Sequence, residues 1–366
     1  MMQKRKSLIF VFVALAVFSG CSVIGVGSGG STHLAYVTLP TVNGIGAFRV
    51  NNHSGAFTSV FGTPVTVGAS PTAIALHPTG NYLYVANQGD ANISLLKIDS
   101  NTGSLTEVLP RASTGLAPAG MVMNSGGTML FVANQSSNSI SVYSINSSDG
   151  TLTQVSGSPF ATFTNPRNLA LAPSGKFLYV SHPNLASVAA YSVGSGGSLQ
   201  LIAGSPFAVG NGPFAIAVQP SEKFLYVANS NDSTIQAMTI DANTGALTLV
   251  LGSVLSTGTN ANPMALAFDS TGKYLYAANS QTNLISPYSL DATTGIPTAI
   301  TASSSNSTGT NPIFLTLDST GKYLLVANQS GKTITSMTID PSTGGLTSTT
   351  NTGTLNWQPA AIVTTK

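Results

Sequence analysis

KFLYVANSN, residues 223–231, is one copy of a phrase that the chain repeats with small changes. It recurs as NYLYVANQG, KFLYVSHPN, KYLYAANSQ and KYLLVANQS. The run of apolar residues before the Asn is typical of a strand that is packed against other layers on both faces. Seven copies align on the residue that opens YVAN, at Tyr36, Tyr84, Phe131, Tyr179, Tyr226, Tyr276 and Leu325. The steps between copies are 48, 47, 48, 47, 50 and 49 residues, which indicates a repeat protein.

Each repeat contains four short strand patterns. In the sixth repeat they read PMALAFD, KYLYAANS, LISPYSLD and IPTAIT, with polar turns between them. The turn between the third and fourth strands ends in Gly in every repeat, and Gly supplies the positive φ that a short hairpin loop needs. Seven repeats of four antiparallel strands predict an all-β fold, a seven-bladed β-propeller.

The two ends of the chain predict how the ring closes. The first repeat begins at HLAYVTL with a second-strand pattern, whereas PAAIVTT, residues 359–365, is a first-strand pattern with no strands after it. We therefore expect the C-terminal strand to complete the first blade, which removes an open sheet edge. The predicted propeller spans residues 33–366.

The N-terminal residues have the pattern of an export signal. Three basic residues at positions 4–6 precede an apolar run at 8–18, which is short for a membrane span, and Cys21, the only cysteine, follows in SGC. This order resembles a bacterial lipoprotein signal, in which residues 1–20 are removed and Cys21 carries lipid. Residues 21–32 then read as a flexible tether. The expected location is the cell envelope, on the periplasmic face or the cell surface, with the membrane as a partner; an ordinary secretory signal is the alternative.

Composition and charge exclude several classes of function. The whole chain has a net charge of +2, but without the three basic residues of the leader ten basic residues face eleven acidic ones. No basic patch predicts a nucleic-acid partner. The sequence contains no phosphate-loop or dinucleotide fingerprint and no spacing of His and Cys typical of a metal site, so we expect neither a cofactor nor a metal.

With seven copies of the YVAN phrase, residues 33–366 resemble the YVTN and lactonase (6-phosphogluconolactonase-like) seven-bladed propellers. GSPFA and PSGKFLYV also resemble phrases in envelope lipoproteins of soil bacteria. The resemblance implies the propeller fold and hydrolysis of a sugar lactone. Lactonases of this family carry a motif similar to Gly-Pro-Arg-His before one inner strand and a Glu after one YV-x-Asn. Here Pro166 and Arg167 match, whereas Asn168 stands at the His and Pro183 at the Glu, so neither proton-transfer group is present.

The fourth repeat therefore supplies the main candidate site. Arg167 and Asn168 precede its first strand on the face where the loops emerge, and a lone Arg there suits an anion or a polyol. His182 replaces the Asn that ends the second strand in five sister repeats. We expect His182 to lie at the mouth of the ring and to shape recognition together with Arg167. We also expect its imidazole to be neutral, because the positive charge of Arg167 would lower its proton affinity. The alternatives are loop hydrogen bonds for Arg167 and a structural replacement at His182.

Three further residues are candidates for ligand contact. Asn134 and Asn229 are two of the five Asn at second-strand ends, which either satisfy backbone groups or form a ring of amides in a polar mouth. Trp357, the only Trp, either stacks on a sugar or covers the closing strand.

These patterns predict a lipid-anchored envelope propeller that acts as a binding or interaction module through its loop face, with no catalytic residue assigned. The expected ligand is a carbohydrate, an anionic small molecule or a protein. The alternative is a lactonase-family hydrolase in which Arg167 holds the carboxylate or phosphate of a sugar lactone and His182 is a displaced base. A carboxylate of Asp90 or Asp232 within hydrogen-bond reach of His182 would favour the enzyme.

Overall fold

The computed structural model describes residues 31–301 and 307–365, and the predicted lipid-bearing Cys21 lies outside them. The first four blades use the strands β1 (Thr32–Leu39), β2 (Gly44–Asn51), β3 (Phe57–Ser59), β4 (Val65–Thr66), β5 (Pro71–Leu76), β6 (Tyr82–Asn87), β7 (Asn92–Ile98), β8 (Leu105–Ser113), β9 (Pro118–Met123), β10 (Met129–Asn134), β11 (Ser139–Ile145), β12 (Leu152–Gln154), β13 (Phe160–Ala161), β14 (Leu169–Leu171), β15 (Phe177–His182), β16 (Ser187–Val193), β17 (Leu199–Leu201) and β18 (Phe207–Ala208).

The remaining blades use β19 (Pro213–Val218), β20 (Phe224–Asn229), β21 (Thr234–Ile240), β22 (Leu247–Leu249), β23 (Leu255–Ser256), β24 (Pro263–Phe268), β25 (Tyr274–Asn279), β26 (Leu284–Leu290), β27 (Pro297–Ala299), β28 (Pro312–Leu317), β29 (Tyr323–Asn328), β30 (Thr333–Ile339), β31 (Leu346–Thr354) and β32 (Ile362–Thr364). Within the described residues the helical segments are two 3₁₀ turns, Pro40–Val42 and Pro183–Leu185. No helix in that part of the chain has the length and apolar character needed to cross a membrane.

The strands form seven antiparallel sheets, which confirms the predicted seven-bladed propeller. Within a blade the strands lie in chain order from the centre outward, as in β5–β6–β7–β8. The first blade has the order β32–β1–β2–β3, so the C-terminal strand closes the ring as predicted. Strand β1 begins at Thr32, one residue before the predicted start of the propeller.

Buried side chains at the contacts between blades form the core. The second strand of the fifth blade, FLYVAN, is buried at every position because neighbouring blades cover both of its faces. The buried apolar side chains sort into seven clusters, one for each pair of neighbouring blades. A single blade therefore has no core of its own, and only stacked blades bury their apolar faces.

A hydrogen bond between blades links the Tyr that opens YVAN with the Gly of the hairpin turn. The Tyr226 hydroxyl donates to the carbonyl of Gly295 in the next blade at 2.7 Å. Four other Tyr make the same bond to the turn Gly of the next blade: Tyr36, Tyr84, Tyr179 and Tyr276. Phe131 and Leu325 occupy the position at the other two contacts. Burial raises the pKa of the Tyr226 hydroxyl, so it remains a donor at neutral pH.

Candidate functional site

The first strands of all seven blades converge on a cavity of 580 Å³ on the loop face, which we call the mouth. The residue at the entry of every first strand lines it: Thr72, Ala119, Arg167, Phe214, Met264, Ile313 and Ala360. The side-chain amides of Gln88, Asn168 and Gln329 also lie along the wall. The volume falls in the range of about 300–1,000 Å³ that is usual for small-molecule sites.

Arg167 supplies the charge of the mouth, because it is the one ionisable side chain among the described residues that line it. Its Cζ lies 4.4 Å from the ring centroid of Phe214 in the next blade, a cation–π contact. No described residue accepts a hydrogen bond from its guanidinium or forms an ion pair with it. Burial lowers the pKa of this guanidinium, but an arginine remains protonated at neutral pH. The mouth thus presents a stacked cation whose N–H groups are available to an anion.

Two residues that the sequence analysis missed hold the Arg167 segment in place. Arg167 N donates to Ser181 O at 2.9 Å, and Asn168 N donates to the Ser181 hydroxyl at 3.0 Å. In the preceding blade, a Cβ on Gly120 would lie only 2.5 Å from Arg167 O, so the close approach of this loop requires Gly there. The signal for Ser181 was its place in YVSH, where most copies of the phrase have Ala.

His182 does not face the mouth, and that part of the sequence prediction is wrong. Its side chain is fully buried, with Nδ1 donating to Thr164 O at 3.0 Å and Nε2 accepting from the Thr162 hydroxyl at 3.2 Å. The Thr162 hydroxyl in turn accepts from Tyr191 Oη at 2.7 Å. The pKa of His182 is lowered by burial, not by the charge of Arg167 that the sequence analysis invoked. The neutral imidazole therefore completes a buried chain of hydrogen bonds.

The exchange of Asn for His182 is matched by a second exchange in the loop before β14. In four other blades the residue three positions before the first-strand Pro is Gly, packed directly on the Asn side chain. In the fifth blade, for example, a Cβ on Gly210 would lie 2.6 Å from Asn229 Cγ. The fourth blade has Phe163 in this place, and its ring meets His182 edge to face at a centroid distance of 5.6 Å. Phe163 and His182 are therefore a packed pair that replaces Gly and Asn.

We expect His182→Gln to flatten the pH dependence of stability between about pH 7 and pH 5. The pKa of the buried imidazole is lowered from 6.5, so the unfolded chain binds more protons in this range. The stability of the native protein is then complete above pH 6.5 and falls as the pH drops through the folded-state pKa. Urea unfolding at the two pH values measures the slope.

The control is Asn229→Gln, a change at the equivalent position that alters packing without removing a titratable group. It should lower stability and keep the wild-type slope. A His182→Gln protein with the wild-type slope would show that His182 does not titrate in this way.

The Asn side chains at second-strand ends lie inside the blades. Asn134 and Asn229 are fully buried. The Nδ2 atom of Asn134 donates to the Ser139 and Ser141 hydroxyls at 3.1 and 2.9 Å, and Nδ2 of Asn229 makes equivalent bonds to the third strand of its own blade. Neither residue lines the mouth. Their geometry makes them structural, with the amide tying the second strand to the third, but the partners are side chains and not the backbone groups that the sequence analysis named.

Trp357 packs at the closure and not in the mouth. Its partly buried ring contacts the apolar cluster between the seventh and first blades, which contains Leu355 and Ile362. This position favours the covering alternative.

The two carboxylates that would have favoured an enzyme hold loops. Asp90 Oδ2 accepts from the backbone N–H of Ala69 at 2.8 Å, and Asp232 Oδ2 accepts from that of Asn211 at 2.7 Å. Neither is a hydrogen-bond partner of His182. Across residues 31–301 and 307–365, no group of three His, Cys, Asp or Glu side chains could hold a metal ion.

Comparisons with known proteins agree with this architecture. The family model described as Lactonase, 7-bladed beta-propeller matches residues 30–162, 158–261 and 256–360. A proposed 6-phosphogluconolactonase from Bacteroides fragilis is 24% identical, covering 92% of this chain and 98% of that one, with a TM-score of 0.79. A periplasmic gluconolactonase from Pseudomonas aeruginosa is 19% identical, covering 92% and 99%, with a TM-score of 0.78. Comparison with curated protein sequences finds no match. At these identities the solved structures support the fold alone.

Proposed function

Because the chain belongs to the lactonase family of seven-bladed β-propellers, we propose that its mouth binds a lactone or the hydroxy carboxylate formed when a lactone ring opens. In both ligands the group recognised is an oxygen that carries partial or full negative charge. Arg167 is the residue that receives it. The proposal concerns small molecules, because the mouth is a cavity of 580 Å³.

The proposal rests on the surroundings of the Arg167 guanidinium. Its guanidinium is partly withdrawn from water, stacked on Phe214, and without an acceptor among the described residues. A partly desolvated cation without an anionic partner is unfavourable, and a ligand oxyanion relieves this by accepting charge-assisted hydrogen bonds. The contact with Phe214 supports the guanidinium at one side, and its forked N–H groups can meet both oxygens of a carboxylate.

Hydrolysis of the lactone is the second candidate function, favoured by family membership and by the match of Pro166 and Arg167 to the family motif. Water would add to the carbonyl carbon, the ring C–O bond would break, and the ring oxygen would take a proton. Arg167 would stabilise the oxyanion of the tetrahedral intermediate. Among the described lining residues none titrates near neutral pH, and general acid–base groups usually contribute about 10²–10⁴-fold. We therefore expect binding to be strong relative to turnover.

Arg167→Met is expected to weaken binding of 5-hydroxypentanoate, the acid of a six-membered lactone, by about 1.5–3 kcal/mol because a charge-assisted hydrogen bond is lost. Isothermal titration calorimetry measures this difference. The matched control is Arg49→Met, since Arg49 lies in a different cavity and donates to Asn101 O. Equal affinities in both variants would contradict the proposal.

The same two variants decide between the candidate functions. Hydrolysis of 6-phosphogluconolactone by the wild-type protein at the buffer rate supports a binding protein. A turnover well above that rate, lost in Arg167→Met and kept in Arg49→Met, would make the protein a lactone hydrolase.

We also propose that lipid on Cys21 holds the propeller at the cell envelope, on the basis of the basic, apolar and SGC segments of the leader. Cys21→Ala is expected to move the protein from the membrane fraction to the soluble fraction, because a lipid chain is the proposed attachment. Fractionation and mass spectrometry of the N-terminal peptide test this. A wild-type peptide with an unmodified Cys21 would refute it.

A further inference from the structure

We infer that the mouth prefers a monoanion with an unbranched apolar body over a polyhydroxylated or doubly charged ligand. This inference rests on the proposed function, because it concerns the ligand held by Arg167. It adds the chemical class of the rest of the molecule.

The apolar residues of the mouth lie together on one side. Phe214, Met264 and Ile313 occupy the entry position of the fifth, sixth and seventh blades, which follow Arg167 around the ring. All three side chains are partly exposed. Three consecutive blades therefore present apolar entry residues in an arc that begins at the cation, and Gln329 of the seventh blade adds an amide to this side.

The entry positions on the opposite side of the mouth carry small side chains. The entry residues of the first, second and third blades are Ala360, Thr72 and Ala119. Because these side chains are small, open space remains in the cavity opposite the apolar arc. A ligand anchored at Arg167 can thus lay an extended body against Met264 and Ile313, where burial of its methylene groups is favourable.

The charge of the mouth matches one negative group. Arg167 is the one ionisable side chain in the described lining, so a second anionic group such as a phosphate would be desolvated without a partner. A polyol would also place hydroxyls against Met264 and Ile313, which offer no hydrogen bonds. The polar side chains of the lining available to it are the amides of Gln88, Asn168 and Gln329 and the hydroxyls of Ser70 and Thr72. The wall therefore penalises the features that define a sugar phosphate.

The test is calorimetric titration of the full chain with butanoate, hexanoate and octanoate, and with gluconate and 6-phosphogluconate. Each buried methylene should raise affinity by about fourfold, from roughly 0.8 kcal/mol per methylene. Octanoate, which has four more methylenes than butanoate, should then bind about 200-fold more tightly if its chain lies in the arc. Gluconate and 6-phosphogluconate should bind more weakly than octanoate.

Two variants separate this inference from the proposed function. Met264→Gln, which keeps the side-chain length, should reduce the gain per methylene, and Arg167→Met should weaken every acid. Leu251→Gln is the control, because Leu251 is 84% exposed and outside the mouth. If gluconate or 6-phosphogluconate binds at least as tightly as octanoate and Arg167→Met abolishes this, the inference is wrong and the proposed function stands. If Arg167→Met changes no affinity, the proposed function is wrong and the inference falls with it.

Discussion

Deleting residues 357–366 is expected to remove most of the stability of the propeller. The deletion takes away β32 with its buried Ile362, and also Ala361 just before it, whose carbonyl accepts from Thr38 N of β1 at 3.0 Å. A buried aliphatic side chain contributes about 1.5–3 kcal/mol, and each buried polar group left unpaired costs about 1–3 kcal/mol. Their sum is comparable with the roughly 5–15 kcal/mol that stabilises a whole domain. Both the melting temperature and the solubility should fall, because β1 becomes an open sheet edge.

Calorimetry and sedimentation of the full and shortened chains measure this effect. Removal of Lys366 alone is the matched control and should change neither property, because the last described strand ends at Thr364. Ile362→Ala gives an intermediate case, with an expected loss of about 2–5 kcal/mol. A shortened chain that melts like the full one would show that β32 does not close the ring.

Gly245→Ala should destabilise the fold by about 3 kcal/mol, from the combined effects of a left-handed backbone and a clash. Gly245 ends the third-to-fourth hairpin of the fifth blade with φ +74°, and its carbonyl accepts the Tyr179 hydroxyl of the blade before. An added Cβ would collide with the Phe177 ring and lie 2.8 Å from Ile202 Cδ1. Both of those side chains belong to the apolar cluster between the two blades, so the substitution would push the blades apart.

Gly252 in the same blade supplies the control. Its φ is +78°, but a Cβ there would meet no atom within 4 Å. Gly252→Ala therefore strains the backbone without causing a clash, and we expect it to lower the free energy of unfolding by about 1 kcal/mol. Denaturant unfolding of both variants tests the difference. Equal losses of stability in the two variants would show that the neighbouring blade leaves room for a side chain at position 245.

The repeat predicted the ring because its period, strand number and turn Gly are all local features of the sequence. The same counting placed the last strand in the first blade, since the chain begins at a second-strand pattern and ends at a first-strand pattern. The place of Arg167 on the loop face followed from the topology alone. Contacts between blades could not be predicted in this way, because the Tyr-to-Gly bond joins residues in different repeats.

Within the candidate site, the sequence predicted correctly only a residue whose location depends on its own position in a strand. Arg167 lies in the mouth because its place at the entry of a first strand fixes its position. His182 was placed wrongly because its environment depends on Phe163, a residue in another loop that takes the place of a recurring Gly. Comparing the loops position by position would have revealed the paired exchange. The stacking of Arg167 on Phe214 had no local signal, since the two residues belong to neighbouring blades.

The Tyr-to-Gly bond also bears on what determines the number of blades in such a ring. Five repeats carry the Tyr donor on one side and bond to the turn Gly of the next repeat, so the contact is head to tail, like the heterologous interfaces of cyclic oligomers. Interfaces of this kind form a closed ring when the rotation per unit divides the circle and an open filament when it does not. The bond itself therefore sets no blade number. In this chain the count ends at seven because β32 joins β1 within one polypeptide, and the same complementarity would otherwise extend from one molecule to the next.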